Sequence, residues 1–398
     1  MTRGHDVVVV GGGPVGLATA IAAHARGLSV RVIDRQRPPI DKACGEGLMP
    51  AGVHALAALG VRLPSRSVPF RGIRYVSDGV VAEADFPGGE AGRGIRRTEL
   101  HAALVARAEE LGVELSWGER VQAVEVGEVR TAAASWPCRF VVGADGLHSL
   151  VRRSAGLEAT AASGARGVVA KRWHARARFG VARHLRLAPW SERVEVTFGT
   201  SAEAYVTPLA SDEIGVAILW SGGKGGFDDL LAARFPGELA RRLAGGTILG
   251  RDHGAGPLLQ PTRGAIAGEG RMALVGDAAG YVDALTGEGL ALGFEAALAL
   301  ADGLAADDLA VYARRLARLV ALPQGMTRLL LAAARRRWLR RRLVAALAAD
   351  PLLFANFLGL LGARRPLGEL LLARSFRLCG RLAWPLPRAH PGSLAMPA

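Results

Sequence analysis

Cysteine and lysine are both nearly missing from this chain. Its three cysteines, Cys44, Cys138 and Cys379, lie far apart with no CxxC pair and no histidine at ligand spacing. That implies neither a disulfide framework nor a zinc site, points to no metal, and fits a reducing, cytoplasmic setting. Lysine occurs only at Lys42, Lys171 and Lys224, while arginine, alanine and glycine abound, so single arginines carry little weight. Aromatic residues make up only 6% of the chain, too few for the stacking platforms that hold single-stranded nucleic acid, and no nucleic-acid partner is expected. A secretory leader is not expected either, because HDVVVVGGG starts a strand before a charged region and an apolar core could fit. Nor is a membrane span, since the longest apolar stretch, Leu343 to Gly362, carries Asp350-Pro351 near its middle.

The formal charge of +14 is concentrated at one end. Residues 321–398 hold thirteen arginines against Asp350 and Glu369, a net +11, and the rest of the chain is nearly neutral. Within that region RRRWLRRRLVAALAA interleaves charge with apolar residues. Such a pattern suits either a solvated face or a helix lying on an anionic membrane, so peripheral membrane contact is an expectation for the C-terminal basic helical region.

With 398 residues, half of them apolar, the chain can build two domains. Residues 6–34 read as strand, glycine turn, helix and strand, a βαβ unit with both strands parallel in one sheet. Short alternating runs follow from 61 to 94 and again from about 161 to 255, where ERVEVTF, AEAYVTPL and EIGVAILW have the period of antiparallel strands. Between and after them the α/β character returns, in RRTELHAALVARAEELGVELSWG, CRFVVGADGLHSLVRR and RMALVGDAAG. The expected fold is α/β. Residues 1–60, 95–160 and 256–320 form a Rossmann-type domain split in three segments, residues 61–94 and 161–255 an antiparallel-sheet substrate domain, and 321–398 a C-terminal helical region. SGGKGG, at 221–226, lacks the hydroxyl residue of a phosphate loop after Lys224 and reads as a hairpin loop.

GGGPVG places Gly11, Gly13 and Gly16 in G-x-G-x-x-G spacing after a four-valine strand, and Asp34 ends the next strand. This is the pattern of a dinucleotide site. Gly11 permits the tight turn, Gly13 lets backbone approach a pyrophosphate, and Gly16 allows close helix–strand packing. The free N–H groups of the helix N-terminus meet the phosphates, and Asp34 accepts from a ribose hydroxyl.

Together with GADGLHSLVRR and GDAAGYVDALTGEGL, the first motif resembles the three ordered fingerprints of the FAD-dependent hydroxylases and reductases that share the para-hydroxybenzoate hydroxylase fold. The resemblance covers most of residues 6–320. KACGEGLMPAG, and Gly280 and Ala284 where hydroxylases usually have histidine and proline, place it closest to the geranylgeranyl-reductase-like branch. No W-x-W-x-x-P motif supports a halogenase. The resemblance implies FAD as cofactor, with NADH or NADPH as a transient reductant. Asp277, after Gly276, would hold a ribityl hydroxyl; Asp145 and Gly146 would sit beside the FAD and the nicotinamide approach; Arg97 would face the pyrophosphate or ribityl chain; and Arg152 would lie on a helix nearby. Gly287 and Gly289, at a helix start capped by Thr286, would set backbone N–H groups against the flavin.

Cys44 and Glu288 are the candidate catalytic residues that the motifs place near the flavin. Each has a plainer reading, Cys44 as a small buried hydrophobe and Glu288 as a surface carboxylate. His184, Trp190, Glu195 and Tyr205 alternate along strands that would face substrate or simply decorate a sheet. The expected activity is hydroxylation of a lipophilic, aromatic or polyketide-like small molecule, because alternating strands imply a broad sheet suited to a planar ring. Reduction of isoprenoid double bonds is the alternative, and an accessory flavoprotein that modifies a partner protein is a third.

Overall fold

Two large sheets, a small antiparallel sheet of Gly47–Leu48, Gly92–Gly94 and Val68–Phe70, and a C-terminal helical layer make up the described part of the computed structural model, residues 4–159, 177–222 and 225–362. The first sheet draws on three separated pieces of sequence. Met272–Leu274, Ser135–Gly143, His5–Val10, Val30–Asp34 and Glu114–Trp117 lie side by side in that order, all parallel. The valine run of the first strand is buried on both faces, as a covered parallel strand must be. Val7 and Val9 pack under the helices Pro14–His24 and Gly289–Ala305, and Val8 and Val10 pack toward Val124, Val129 and Val151 on the other side.

The second sheet has seven strands in the order Thr247–Ala255, Arg178–Arg186, Glu213–Ser221, Ala202–Ala210, Val194–Phe198, Gly72–Ser77 and Val80–Asp85. Every pairing is antiparallel except one. Val194–Phe198 runs parallel to Gly72–Ser77, with Val194 opposite Ile73, and this pairing welds the two inserted segments into a single sheet. Alternation alone predicts strands but not which strand pairs with which, so the join is a finding of the structure. SGGKGG is a strand-to-helix connection rather than a hairpin: it leads from Glu213–Ser221 into the helix Phe227–Arg234. Gly223 and Lys224 themselves lie outside the described residues, as do residues 363–398 of the basic region.

The C-terminal layer contains the helices Leu309–Ala334, Arg337–Ala348 and Pro351–Leu361. The Asp350-Pro351 pair ends one helix and starts the next. Proline suits a first helical turn, and the Asp350 carboxylate accepts from the Leu353 N–H at 3.0 Å. The last two helices bend by 106° at this break. Phe354 anchors the final helix, fully buried with its ring 4.9 Å from that of Tyr75 on the second sheet. Burial of such a ring contributes about 2–3 kcal/mol. No single described helix is long and apolar enough to cross a membrane.

Candidate cofactor and substrate site

A cavity of about 920 Å³ runs from the C-terminal ends of the parallel strands to the inner face of the second sheet. Strand ends of an open α/β sheet are where ligands bind, because loops and helix N-termini converge there. One end of the cavity is polar, lined by Gly11, Gly13, Asp34, Lys42, Arg97 and Asp277. The other end is apolar, with Met49, Ile73, Val196, Leu219, Leu258 and Leu358 among its walls.

The glycine turn is built as the spacing requires. Gly11 has φ +108°, and a Cβ there would lie 2.5 Å from the Ala144 carbonyl oxygen. At Gly16 a Cβ would lie 1.9 Å from the Gly11 oxygen, so the helix packs on the turn at a distance only glycine permits. Gly13 differs. A Cβ on it meets nothing within 4 Å and would project into open space at the start of the helix Pro14–His24. Gly287, at φ +68°, is open in the same way. Asp34 accepts from the backbone N–H groups of Gly12 at 2.7 Å and Gln36 at 2.8 Å, which hold its carboxylate at the cavity edge. His101, fully buried, reaches across from the helix Arg97–Glu110 to the Gly12 carbonyl at 2.8 Å. This contact fixes its Nε2 as the donor, and burial lowers its pKa, so the ring stays neutral.

The other sequence-predicted residues fall into three groups. Arg97, Asp145, Gly146, Asp277, Gly289 and Cys44 line the cavity along with Gly11, Gly13, Asp34 and Gly287. Gly16 and Gly276 shape it without lining it; Gly276 turns at φ +60° with Val15 pressed close. Glu288 lies outside the lining, 2% exposed, at the start of the helix Gly289–Ala305, where its side chain does not cap. After burial, its charge is the cause that raises the hydroxyl pKa of Tyr75. Thr286 does not cap that helix either, and its Oγ1 lies 3.3 Å from Thr327 Oγ1 instead. Arg152, expected on a helix near the cofactor, is on the helix Leu150–Ser154 and 1% exposed. It donates to the carbonyls of Leu147 at 2.6 Å and Ala278 at 3.2 Å, stapling the GADG loop to the GDAAG turn.

Sequence reasoning missed the pairing that ties the CGEG loop to the second sheet. Glu46, in CGEG, adopts φ +56° and is buried, and its Oε2 lies 2.6 Å from His184 Nε2 on the strand Arg178–Arg186. Its Oε1 accepts from the Arg97 N–H at 2.8 Å. The Thr207 hydroxyl donates to the Gly45 carbonyl at 2.7 Å, so the loop carrying Cys44 is held from both sides. Tyr205 donates to the Leu285 carbonyl at 2.8 Å, while Glu195 accepts from Arg74 and Trp190, each at 3.1 Å. Of the four residues raised from the sequence, Tyr205 alone lines the cavity, and Trp190 lies not on a strand but in the connection between Arg178–Arg186 and Val194–Phe198. A buried cluster lies below: Arg178 contacts Glu203 and Asp283, the latter at 3.0 Å. Burial pushes the Asp283 carboxyl up to about 6 against the pull of Arg178.

The electrostatics suit an anionic, polar ligand at one end. Asp277 is raised by burial and pulled back by Arg97, Lys42 and Arg152. Burial lowers the Lys42 ammonium, with Arg97 acting the same way and Asp34 and Asp277 opposing. Two buried polar atoms, Arg97 Nε and Asp145 Oδ1, have no hydrogen-bond partner among the described residues. Orphaned donors and acceptors beside an open glycine cradle are what a bound dinucleotide would satisfy. The residues present therefore fit such a cofactor. Among the described residues no cluster of three or more His, Cys, Asp and Glu side chains is arranged to hold a metal.

Comparison with known proteins agrees with this geometry. Residues 4–185 match a family profile described as an FAD binding domain. The chain is 30% identical over 339 residues to menaquinone reductase of Mycobacterium tuberculosis, covering 77% of this chain and 78% of that protein. It is 29% identical over 168 residues to 12-dehydrotetracycline 5-monooxygenase/anhydrotetracycline 6-monooxygenase of Streptomyces rimosus, covering 39% of this chain and 33% of that one. Among solved structures, a flavoprotein/dehydrogenase from Cytophaga hutchinsonii superposes with a TM-score of 0.77 at 15% identity, over 95% of this chain and 99% of that chain.

Proposed function

The chain belongs to the FAD-dependent oxidoreductases with the para-hydroxybenzoate hydroxylase fold, and from that premise we propose that it reduces a double bond of a lipophilic quinone or isoprenoid lipid. The observation that carries this reading is the continuity of one cavity from the polar cradle to a deep apolar chamber. It is supported by similarity to a menaquinone reductase over three quarters of both chains, where the monooxygenase similarity spans under two fifths of this one. Sequence alone favours oxygen-dependent hydroxylation, and that remains the second reading, supported by the same monooxygenase similarity and by the broad sheet over the site.

FAD, when bound, supplies two-electron chemistry with NADH or NADPH as the source of electrons. The chain's part is to hold, orient and protonate. Arg97, Asp34, Asp277 and the Gly13 backbone would hold the dinucleotide, with Asp145, Gly146, Gly287 and Gly289 around it. Ile73, Val196, Leu219 and Leu258 exclude water from the chamber and orient an apolar substrate. Reduction of a carbon–carbon double bond also needs one proton. Cys44 faces the cavity, and burial raises its thiol against the opposing pull of Arg97, so at neutral pH it carries a proton to give. Tyr281 lines the same space with its hydroxyl raised by burial and by Asp277 and Asp283, which makes it the reserve donor.

The test is anaerobic incubation of FAD-loaded protein with NADPH or NADH and menaquinone or a geranylgeranyl lipid, followed by product mass. Addition of two hydrogens without oxygen, retained after air has returned any quinol to quinone, supports the proposal. Turnover that requires oxygen and adds one oxygen atom selects hydroxylation.

A further inference from the structure

The cavity's apolar end is walled by the last described helix. Leu358 and Leu361 of Pro351–Leu361 line it, and the Gly362 carbonyl accepts from the Ala51 N–H at 3.0 Å, fixing the end of that wall to the helix Pro50–Ala58. The preceding helix is fixed at its start. Arg340, 8% exposed, donates to Ser77 Oγ at 3.1 Å and to the Gly199 carbonyl at 3.0 Å on the second sheet. Between these two anchors the bent pair presents an outer face of different character. Trp338 is 56% exposed and Leu352 64%, and Leu329 on the neighbouring helix is 63% exposed. These are half of the large hydrophobic side chains that the described surface leaves exposed, gathered within one helical layer. Exposed arginines flank them in sequence, Arg328, Arg336 and Arg341, with Arg337 exposed but paired to Asp78 at 2.7 Å, and the only acid of the bent pair and its linker is Asp350.

We infer that this face docks on an anionic lipid membrane. An exposed tryptophan and leucines flanked by arginine match an interface where apolar side chains enter the acyl boundary and guanidinium groups meet lipid phosphates. Charge decides between occupants: a second copy of the chain would bring the same arginines against themselves, whereas an anionic bilayer neutralises them. The pair is not a span. Val344, Leu347, Phe354 and Leu358 are buried in the hydrophobic core shared with the second sheet, so the helices cannot turn those side chains to lipid without unpacking. A second consequence rests on the proposed function: docking sets the wall formed by Leu358 and Leu361 at the membrane, and the lipid substrate enters the apolar chamber beside it without crossing water.

Co-sedimentation of the full-length FAD-loaded protein with phosphatidylcholine vesicles, and with vesicles containing phosphatidylglycerol, tests the docking. Binding to the anionic vesicles should be at least tenfold stronger, fall with salt, be released by carbonate, and drop about tenfold or more in Trp338→Glu/Leu352→Glu and in Arg336→Glu/Arg341→Glu. FAD content and turnover of detergent-dispersed substrate should be unchanged in both variants, which also shows that they fold. Equal partitioning onto neutral and anionic vesicles, parent-like binding by the variants, or retention after carbonate would overturn the docking. If the variants lose vesicle binding but turn over vesicle-borne substrate as the parent does, membrane delivery is wrong while docking stands. Absence of turnover in detergent by the parent would count against the proposed reaction and leave the docking result intact.

Discussion

Gly13 and Gly16 stand three residues apart in the same turn, yet alanine should act on them in opposite ways. At Gly13 the backbone is extended, φ −69° and ψ 175°, which any residue adopts, and a Cβ meets nothing within 4 Å. Replacing glycine lowers the entropy of the unfolded chain by about 0.4–1 kcal/mol, while alanine is a poorer N-cap by a comparable amount. Gly13→Ala should therefore leave the stability of the cofactor-free protein within about 1 kcal/mol of the parent. The methyl group instead occupies space through which phosphates must approach the helix N-terminus. Lengthening one or two charge-assisted hydrogen bonds there costs about 1.5–3 kcal/mol each, so FAD affinity should fall by about tenfold to a hundredfold or more. At Gly16 the methyl group would lie 1.9 Å from a backbone oxygen, and the helix must move off the turn. That overpacking costs about 1–3 kcal/mol or more in the cofactor-free protein. Thermal unfolding without cofactor and flavin-fluorescence titration of the deflavinated protein measure the two effects separately. Parent-like FAD affinity in Gly13→Ala would refute the placement of the pyrophosphate.

Asp283 sets a pH dependence of stability. Its folded value of about 6 lies above the ordinary 3.8, so the folded state binds the extra proton and this stabilising contribution is present below about pH 4 and lost as pH rises through 6. The size is on the order of 2–3 kcal/mol, and Asp283→Asn should flatten that part of the profile; an unchanged slope between pH 4 and 6 in denaturant melts would show that Asp283 is not its source. Cys44→Ala should keep FAD but lower turnover by roughly a hundredfold or more, as loss of a proton donor does. Parent-like turnover in that variant would pass the proton role to Tyr281.

What could be read in advance was whatever local pattern governs. The parallel sheet followed from unbroken valine runs and glycine turns, the inserted strands from their period-2 alternation, and the helix break from Asp350-Pro351. Gly11, Gly13 and Asp34 were legible because a dinucleotide turn imposes spacing within about two dozen residues. The contacts that complete the site were not. Glu46 meets His184 across 138 positions of sequence, and Arg152 reaches Ala278 across 126, and neither separation leaves a periodic trace. Arginine abundance hid Arg152, Arg178 and Arg340 among composition, although burial makes each a specific tie. Thr286 lies two residues before the helix cap, which falls to Glu288, whose side chain makes no cap, a displacement too small for pattern to resolve.

The central claim is that a lipid double bond, not oxygen, takes the electrons. FAD-loaded protein reduced anaerobically and then mixed with a geranylgeranyl lipid, which has no quinone ring to take the electrons instead, measures this in one step, through the return of oxidised-flavin absorbance. The account predicts reoxidation without oxygen, one equivalent of lipid per flavin, slowed in Cys44→Ala. Flavin that stays reduced with every such lipid until oxygen is admitted would contradict it.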